Sequence, residues 1–307
     1  MRALVVTNLY PNPRDPVRGS FVRDQVEALR QIAELELELF TFASLGTTGY
    51  LEAAREARRR YRAARFDVVH AHFGLNIWPS LAVAADAHGV TLHGTDLVDP
   101  RSRVVTAAGL PFMDLVGPVS EALAERVPRR MVRGRVEVLP CGVDLTRFRR
   151  IDRREARRAL GLDEEGPYVL FPADPSRPEK RYDRAKKVAR EVPLLTLGRI
   201  DPSQVPLWVN AANAVLVTSE RESFGLAVLE ALACDVPVLA TPVGVAPEVL
   251  AGVAGTHCGE FDLEAWARVL DPHLRADDPR VEGRASAARY SAERMAERVF
   301  EAWQRLA

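Results

Sequence analysis

The stretch from Ser219 to Thr241, SERESFGLAVLEALACDVPVLAT, constrains the fold of this chain more than any other. An apolar run, Ala214 to Thr218, precedes it and reads as a buried strand, and Pro237 to Thr241 reads as the next strand. Between them the pattern predicts a loop and a short helix. Leu226, Val228, Leu229, Ala231, Leu232 and Ala233 make that helix apolar on most sides, so it is expected to pack against a sheet. Two carboxylates interrupt the pattern: Glu222 in the loop and Glu230 in the second helical turn, with seven residues between them. Phe224 and Gly225 stand where loop becomes helix. A helix start carries unpaired N–H groups and a partial positive charge, so residues 224 to 227 suit phosphate or sugar oxygens. The ordinary alternative is that Glu222 caps the helix and Glu230 is solvated.

A helix end that favours anions, flanked by two acceptors, fits a nucleotide sugar. The stretch resembles the donor-binding segment of retaining glycosyltransferases of the GT-B fold, family 4 (glycosyl transferases group 1). Ser219, Glu222, Phe224, Gly225, Glu230, Ala231, Ala233, Cys234, Pro237 and Val238 carry the resemblance. It implies an α/β protein of two Rossmann-like domains, with parallel sheets facing across a cleft and a C-terminal helix crossing back to the first domain. The expected division is 1–149, plus about 288–307, for the acceptor-side domain and 150–287 for the nucleotide-sugar domain, with the hinge near Arg149.

Composition narrows the function classes. In 307 residues, 42 Lys and Arg balance 42 Asp and Glu, so bulk charge argues against a nucleic-acid partner. Cys141, Cys234 and Cys258 are widely spaced, which indicates neither a disulfide framework nor a zinc site and suits a reducing cytosol. The first apolar run is too short for a signal peptide, and no stretch approaches the length of a transmembrane helix. A cytoplasmic protein is expected, with peripheral attachment to the inner face of a membrane as an option.

In the first half, Ala3 to Thr7 reads as a strand, followed by a Pro- and Gly-rich loop and a helix from about Phe21 to Arg30. No Gly-x-Gly-x-x-Gly follows the strand, so hydride transfer with a dinucleotide is not expected. GSFVRDQVEAL instead resembles the family's Gly-x-Phe-Val motif, which implies that Gly19 lets backbone approach the donor phosphates; a plain loop or cap glycine is the alternative. Glu34 to Phe42 reads as a strand with one wet face, although the same letters allow a helix. Leu51 to Arg65 reads as a helix with Arg55, Arg58, Arg59 and Arg62 on one face, either simply solvated or facing anionic lipid headgroups. His70 and His72 end a central strand on the same side, without an obvious third metal ligand. In VTLHGTD the resemblance implies that His93 faces the donor sugar. Ser120 opens a helix, and PCGVDLTRF leads out of the first domain.

In the second half, Tyr168 to Ala173 is a strand, and the loop after it, DPSRPEKR, holds Arg177 and Lys180. Relatives bind the donor diphosphate with Arg and Lys in this loop, commonly as Gly-Arg-x-x-x-x-Lys. This chain departs from that spacing, so Lys180 is the firmer assignment and Arg177 stands in for the displaced Arg. Positive groups belong there because breaking the glycosidic bond leaves negative charge on the β-phosphate. The resemblance further implies that Gly198-Arg199 turns its backbone toward the base, that Glu222 holds sugar hydroxyls and Glu230 the ribose, and that the backbone of Ser223, Phe224, Gly225 and Leu226 holds sugar or phosphate oxygens. Leu263 to Leu270 reads as a helix stopped before Pro272, and Ser286 to the C-terminus as one amphipathic helix.

The expected activity is metal-independent transfer of a hexosyl unit from a nucleotide-diphosphate sugar to a hydroxyl acceptor that is a small molecule, a glycan or lipid-linked. No cofactor is implied, and no Asp-x-Asp occurs that would bridge a metal to a diphosphate. A catalytically silent sugar-nucleotide-binding protein and a sugar-nucleotide epimerase of the same architecture stay open. The short spacings around His93 make the first domain compact where relatives carry insertions.

Overall fold

The computed structural model describes residues 1–13, 15–43, 46–198 and 200–306, and no statement concerns the side chain of Thr47. The chain divides into two compact units. Unit 1 comprises Met1–Gly142 and Ala292–Ala307, and unit 2 comprises Val143–Ser291, so the division falls earlier than Arg149.

Unit 1 is built on β1 (Arg2–Thr7), β2 (Glu36–Thr41), β3 (Phe66–His72), β4 (Ala85–Leu92), β5 (Leu115–Pro118) and β6 (Arg135–Val136). They form one parallel sheet in the order β2-β1-β3-β4-β5-β6. Its helices are α1 (Ser20–Leu29), α2 (Gly46–Arg60), α3 (Ile77–Ser80), α4 (Thr95–Val98), α5 (Pro100–Gly109) and α6 (Glu121–Ala124). A parallel sheet needs crossover helices and is covered on both faces, so its strands are apolar on both sides. In β1, Ala3 and Val5 face one core with Val22, Val26 and Leu29 of α1. Leu4 and Val6 face the other with Ala53, Ala57 and Tyr61. Glu36 to Thr41 is a strand, which settles the helix alternative: pairing with β1 supplies the partner that local propensity leaves open.

Unit 2 is built on β7 (Val169–Phe171), β8 (Leu194–Thr196), β9 (Ala214–Val217), β10 (Val238–Ala240) and β11 (His257–Cys258), also all parallel, in the order β11-β10-β9-β7-β8. Its helices are α7 (Arg153–Ala159), α8 (Tyr182–Ala189), α9 (Val205–Ala211), α10 (Leu226–Ala233), α11 (Ala246–Val249), α12 (Leu263–Arg275) and α13 (Arg284–Ala288); α14 (Ala292–Gln304) returns to unit 1. Trp266 of α12 fills the core beneath β7 and β9.

Three boundaries differ from expectation. The α2 helix starts at Gly46 and ends at Arg60, because Tyr61 turns inward against Phe40 and Phe66. The α12 helix continues through Pro272; the carbonyl that the missing N–H leaves is that of Arg268, an exposed residue, where water can take it. The C-terminal helix is broken at 289–291, where Val143 donates its N–H to the carbonyl of Tyr290 and the chain passes from unit 2 to unit 1.

Candidate active site

In open parallel sheets ligands bind beyond the carboxyl ends of the strands, and the expected site residues of both units lie there. In unit 2, Thr218 follows β9 and donates its hydroxyl to the carbonyls of Lys180 (3.0 Å) and Arg181 (2.9 Å), fastening the loop after β7 to the end of β9. The Glu220 N–H donates to the Glu179 carbonyl at 2.9 Å. These bonds bring Lys180 to Glu222: the ammonium donates to both carboxylate oxygens at 2.6 Å, with the two side chains only 14% and 13% exposed. Ser219 donates its hydroxyl to one of the same oxygens at 2.7 Å.

Gly225 caps α10 at φ 98°, a conformation that favours glycine. The loop is braced by Val245, whose N–H donates to the Phe224 carbonyl at 2.7 Å. At Gly244 a Cβ would meet that carbonyl oxygen at 2.2 Å, so this glycine permits the close approach. Phe224 is buried with its ring against Tyr290, while Ser223 and Leu226 are half-buried. Glu230 is half-buried on α10. Gly198 follows β8 and lies beside Asp174, whose side chain would be 3.6 Å from an added Cβ. Arg199 lies outside the described residues. The Arg177 guanidinium is exposed and donates to Glu179 at 2.9 and 2.7 Å, so the structure does not bring it into the Lys180–Glu222 cluster.

In unit 1 the ends of the adjacent strands β3 and β4 gather a set of uncharged groups. Trp303 of α14 donates its indole N–H to His70 Nδ1 at 3.0 Å, which requires His70 to carry its proton on Nε2 and donate it to Thr91 Oγ1 at 2.7 Å. His72 Nδ1 and His93 Nε2 share a hydrogen bond of 3.0 Å, with their rings stacked at 5.3 Å. Burial pushes His72 down to about 3; it also holds His70 and His93 well below the ordinary histidine value, with a smaller contribution from the neighbouring imidazoles. All three are therefore neutral near pH 7. Phe21 packs on the His93 ring at 4.8 Å.

Asp96 fixes the His93 turn. Its buried carboxylate accepts from the N–H groups of His93 (3.0 Å), Gly94 (2.7 Å) and Gly74 (3.2 Å). Burial raises its carboxyl from the ordinary value, against the lowering by these bonds. Gly19, at φ 63°, precedes α1, and a Cβ there would meet the Leu9 carbonyl at 2.3 Å. The positive φ and that packing both require glycine here.

Sequence reasoning missed Asp96, Thr218 and Gly244. The first was findable as a carboxylate at a helix start, three residues after His93; the other two show no local signal. Burial pushes the thiols of Cys141 and Cys234 up to about 12 and raises that of Cys258, which leaves no activated thiol nucleophile among them. Among the described residues no group of three or more His, Cys, Asp or Glu is placed to hold a metal ion. None of the helices they form is long and apolar enough to cross a membrane. On α2, Arg55, Arg58 and Arg59 are exposed, with Arg62 in the turn beyond and Glu52 and Glu56 interspersed.

Two parallel sheets with polar clusters at their strand ends define the class, a GT-B protein. Solved structures agree in fold: sucrose-phosphate synthase from Thermosynechococcus elongatus has a TM-score of 0.74 at 18% identity, covering 100% of this chain and 99% of its own. HepE from Anabaena, in complex with UDP and glucose, has a TM-score of 0.72 at 15% identity, covering 98% and 99%. The family Glycosyltransferase Family 4 matches residues 9–147, and Glycosyl transferases group 1 matches residues 179–294. This chain belongs to glycosyltransferase family 4. The D-inositol 3-phosphate glycosyltransferase of Frankia alni is 28% identical over 268 residues, 68% of this chain and 66% of the relative. That of Mycobacterium avium is 34% identical over 188 residues, 50% of this chain and 44% of the relative. The match thus spans just under two thirds of the first relative and less than half of the second.

Proposed function

We propose that the protein transfers a hexosyl unit from a nucleoside-diphosphate sugar to a hydroxyl acceptor, with retention of configuration and without a metal ion. The observation that carries this reading is the Lys180–Glu222–Ser219 cluster at the end of β9, beside the start of α10. In this proposal the donor β-phosphate takes over the Lys180 ammonium, and Glu222 is released to accept hydrogen bonds from sugar hydroxyls. The backbone of Ser223, Phe224, Gly225 and Leu226 receives sugar or phosphate oxygens, Glu230 accepts from the ribose, and Gly198 lies under the base. His93, held neutral, donates to a sugar hydroxyl. Arg177 reaches the diphosphate only by exchanging its bonds to Glu179. Gly19 allows backbone near the phosphates.

Chemically, the bond from the anomeric carbon to the β-phosphate oxygen breaks, and the acceptor oxygen bonds that carbon from the same face. The acceptor proton passes to the departing phosphate oxygen. Lys180 stabilises the charge that develops there; a unit pair at 4 Å is worth about 4 kcal/mol at an effective dielectric of 20. Support for the donor class comes from HepE, solved with UDP and with UDP-glucose, and the relatives' name puts a phosphorylated polyol among the acceptors to try. A lipid-linked acceptor would also bring Arg55, Arg58, Arg59 and Arg62 near anionic headgroups; sedimentation with anionic liposomes that is unchanged when these four are reversed to glutamate would remove that part.

Titration calorimetry with UDP-, GDP- and ADP-sugars, with and without magnesium, on the parent and on Glu230→Ala tests the donor site. Selective, metal-independent binding that is lost in the variant supports the reading, and equal binding by the variant removes Glu230 from it. The engagement of Arg177 by Glu179 favours a second reading, a silent binding protein, which acceptor-dependent turnover would exclude.

A further inference from the structure

Formal charge is balanced over the whole chain, but it is not balanced over the outer face of α5 and the segment beside it. Arg101, Val104, Val105, Ala108 and Phe112 recur at helical spacing along α5 and the turn after it, and all are exposed, Val104 by 71% and Phe112 by 57%. The opposite side of the helix is committed to the core: Thr106, Gly109 and Leu110 are buried. Gly109 packs so closely on Ile77 that a Cβ would meet its side chain at 2.8 Å. This seating carries Trp78, 39% exposed, to the side of Phe112, with ring centroids 6.4 Å apart. Four large apolar side chains therefore face outward together on unit 1.

Cations surround them. Arg101 and Arg103 lie on α5, and no Asp or Glu occurs from Pro100 to Met113. The segment from Arg126 to Val136 holds five arginines and no acid, and it runs against the end of the same turn. Arg135 donates its N–H to the Asp114 carbonyl at 2.8 Å, and Gly134 touches the Met113 and Asp114 backbone. Arg103, Arg129, Arg130 and Arg133 are exposed and make no ion pair among the described residues, whereas many arginines elsewhere in the chain do.

We propose that the α5 face, with Trp78, Phe112 and the 126–136 arginines, docks the protein on an anionic lipid bilayer. Valine, tryptophan and phenylalanine beside unopposed arginine match an interface whose acyl boundary is apolar and whose headgroups are negative. Tryptophan suits the headgroup level, with its ring in the apolar layer and its N–H toward water. A second copy of the chain fits less well, since a two-fold contact would set arginine against arginine. Nucleic acid would use the arginines but gains nothing from Val104 and Val105. The α2 face has arginines as well, but Glu52 and Glu56 are interspersed and Leu51 is its one exposed large hydrophobe.

The test is sedimentation of the full chain with phosphatidylglycerol-containing vesicles and with pure phosphatidylcholine vesicles, followed also by tryptophan emission. Binding is expected to be selective for the anionic vesicles, with a blue shift that Trp78→Phe removes while sedimentation persists; Trp266 and Trp303 are already buried, and Trp208, half-buried in unit 2, remains in that variant as the internal control. Val104→Asp combined with Phe112→Asp, and separately Arg129→Glu with Arg130→Glu and Arg133→Glu, should each weaken partitioning about tenfold or more. Both sets replace exposed side chains, and circular dichroism checks that they fold. The proposal is overturned if the parent does not bind the anionic vesicles, if both variants bind as the parent does, or if reversal of Arg55, Arg58 and Arg59 alone abolishes binding. It is equally overturned if the two variants lose self-association or binding to duplex DNA but not sedimentation with the vesicles.

Discussion

The strand ends of the two units solve different physical problems with different chemistry. In unit 1, His70, His72, His93 and Thr91 are joined by hydrogen bonds between uncharged groups, and burial keeps the imidazoles from taking a proton. In unit 2, Lys180 and Glu222 are a charged pair held close by Ser219 and Thr218, each with a small part of its surface in water. A neutral network fixes orientation and suits hydroxyl groups. A poised ammonium suits a leaving phosphate, because its charge is in place before the bond breaks.

The comparison breaks most sharply at Lys180. Lys180→Ala should lower turnover about a hundredfold or more in initial-rate assays with the donor identified by calorimetry. Turnover near the parent's would mean that the unit 2 cluster only stabilises the fold. Glu222→Gln sharpens the same point: it frees the ammonium, so affinity for the nucleoside diphosphate alone should hold or rise in titration calorimetry while transfer falls about tenfold. A joint loss of both would show that Glu222 mainly shapes the loop.

Gly19→Ala should cost roughly 1–3 kcal/mol in denaturant unfolding, since the residue is at positive φ with the Leu9 carbonyl in the way. Gly198→Ala, whose nearest neighbours are at 3.6 Å, should leave stability close to the parent's. Acid should strain unit 1 more than unit 2. His70, His72, His88 and His93 are all lowered in unit 1, against His273 in unit 2. A histidine lowered in the fold binds its proton more readily when unfolded, so its stability contribution is complete above pH 6.5 and declines as pH falls. For His72, held down to about 3, the decline approaches about 1.4 kcal/mol per pH unit between 6.5 and that value. Hydrogen exchange at pH 7.5 and pH 5 should show loss of protection greater in β3 and β4 than in β9 and β10. Trp303→Phe should cost about 1 kcal/mol or more in the same unfolding measurement, because the bond to His70 is lost and a buried acceptor is left unpaired, so Gly198→Ala has the smallest expected effect.

Much of this was legible because it rests on local pattern. Apolar runs mark the central strands β1, β3, β7, β9 and β10, and the spacing of Ser219, Glu222, Gly225 and Glu230 marks the loop and helix start of unit 2; the two-residue edge strand β11 carries no such run and is decided by its pairing with β10. Even Asp152 and Asp262 are legible as helix caps, since each accepts from an N–H three residues on. Boundaries were less legible where packing decides them, as with Tyr61 ending α2 and Pro272 inside α12.

By itself the sequence determined the fold class, the family resemblance and which polar residues stand at strand ends, because periodicity and short-range spacing are properties of the chain. Only the tertiary structure decided whom those residues meet. That Glu222 is held by Lys180, that Arg177 pairs with Glu179, that Trp303 reaches His70 and that Gly19 packs on Leu9 depend on strand order and helix seating. Except for the Arg177 pair, these contacts join residues that sequence alone leaves unconnected, and no local pattern encodes a distance across a sheet.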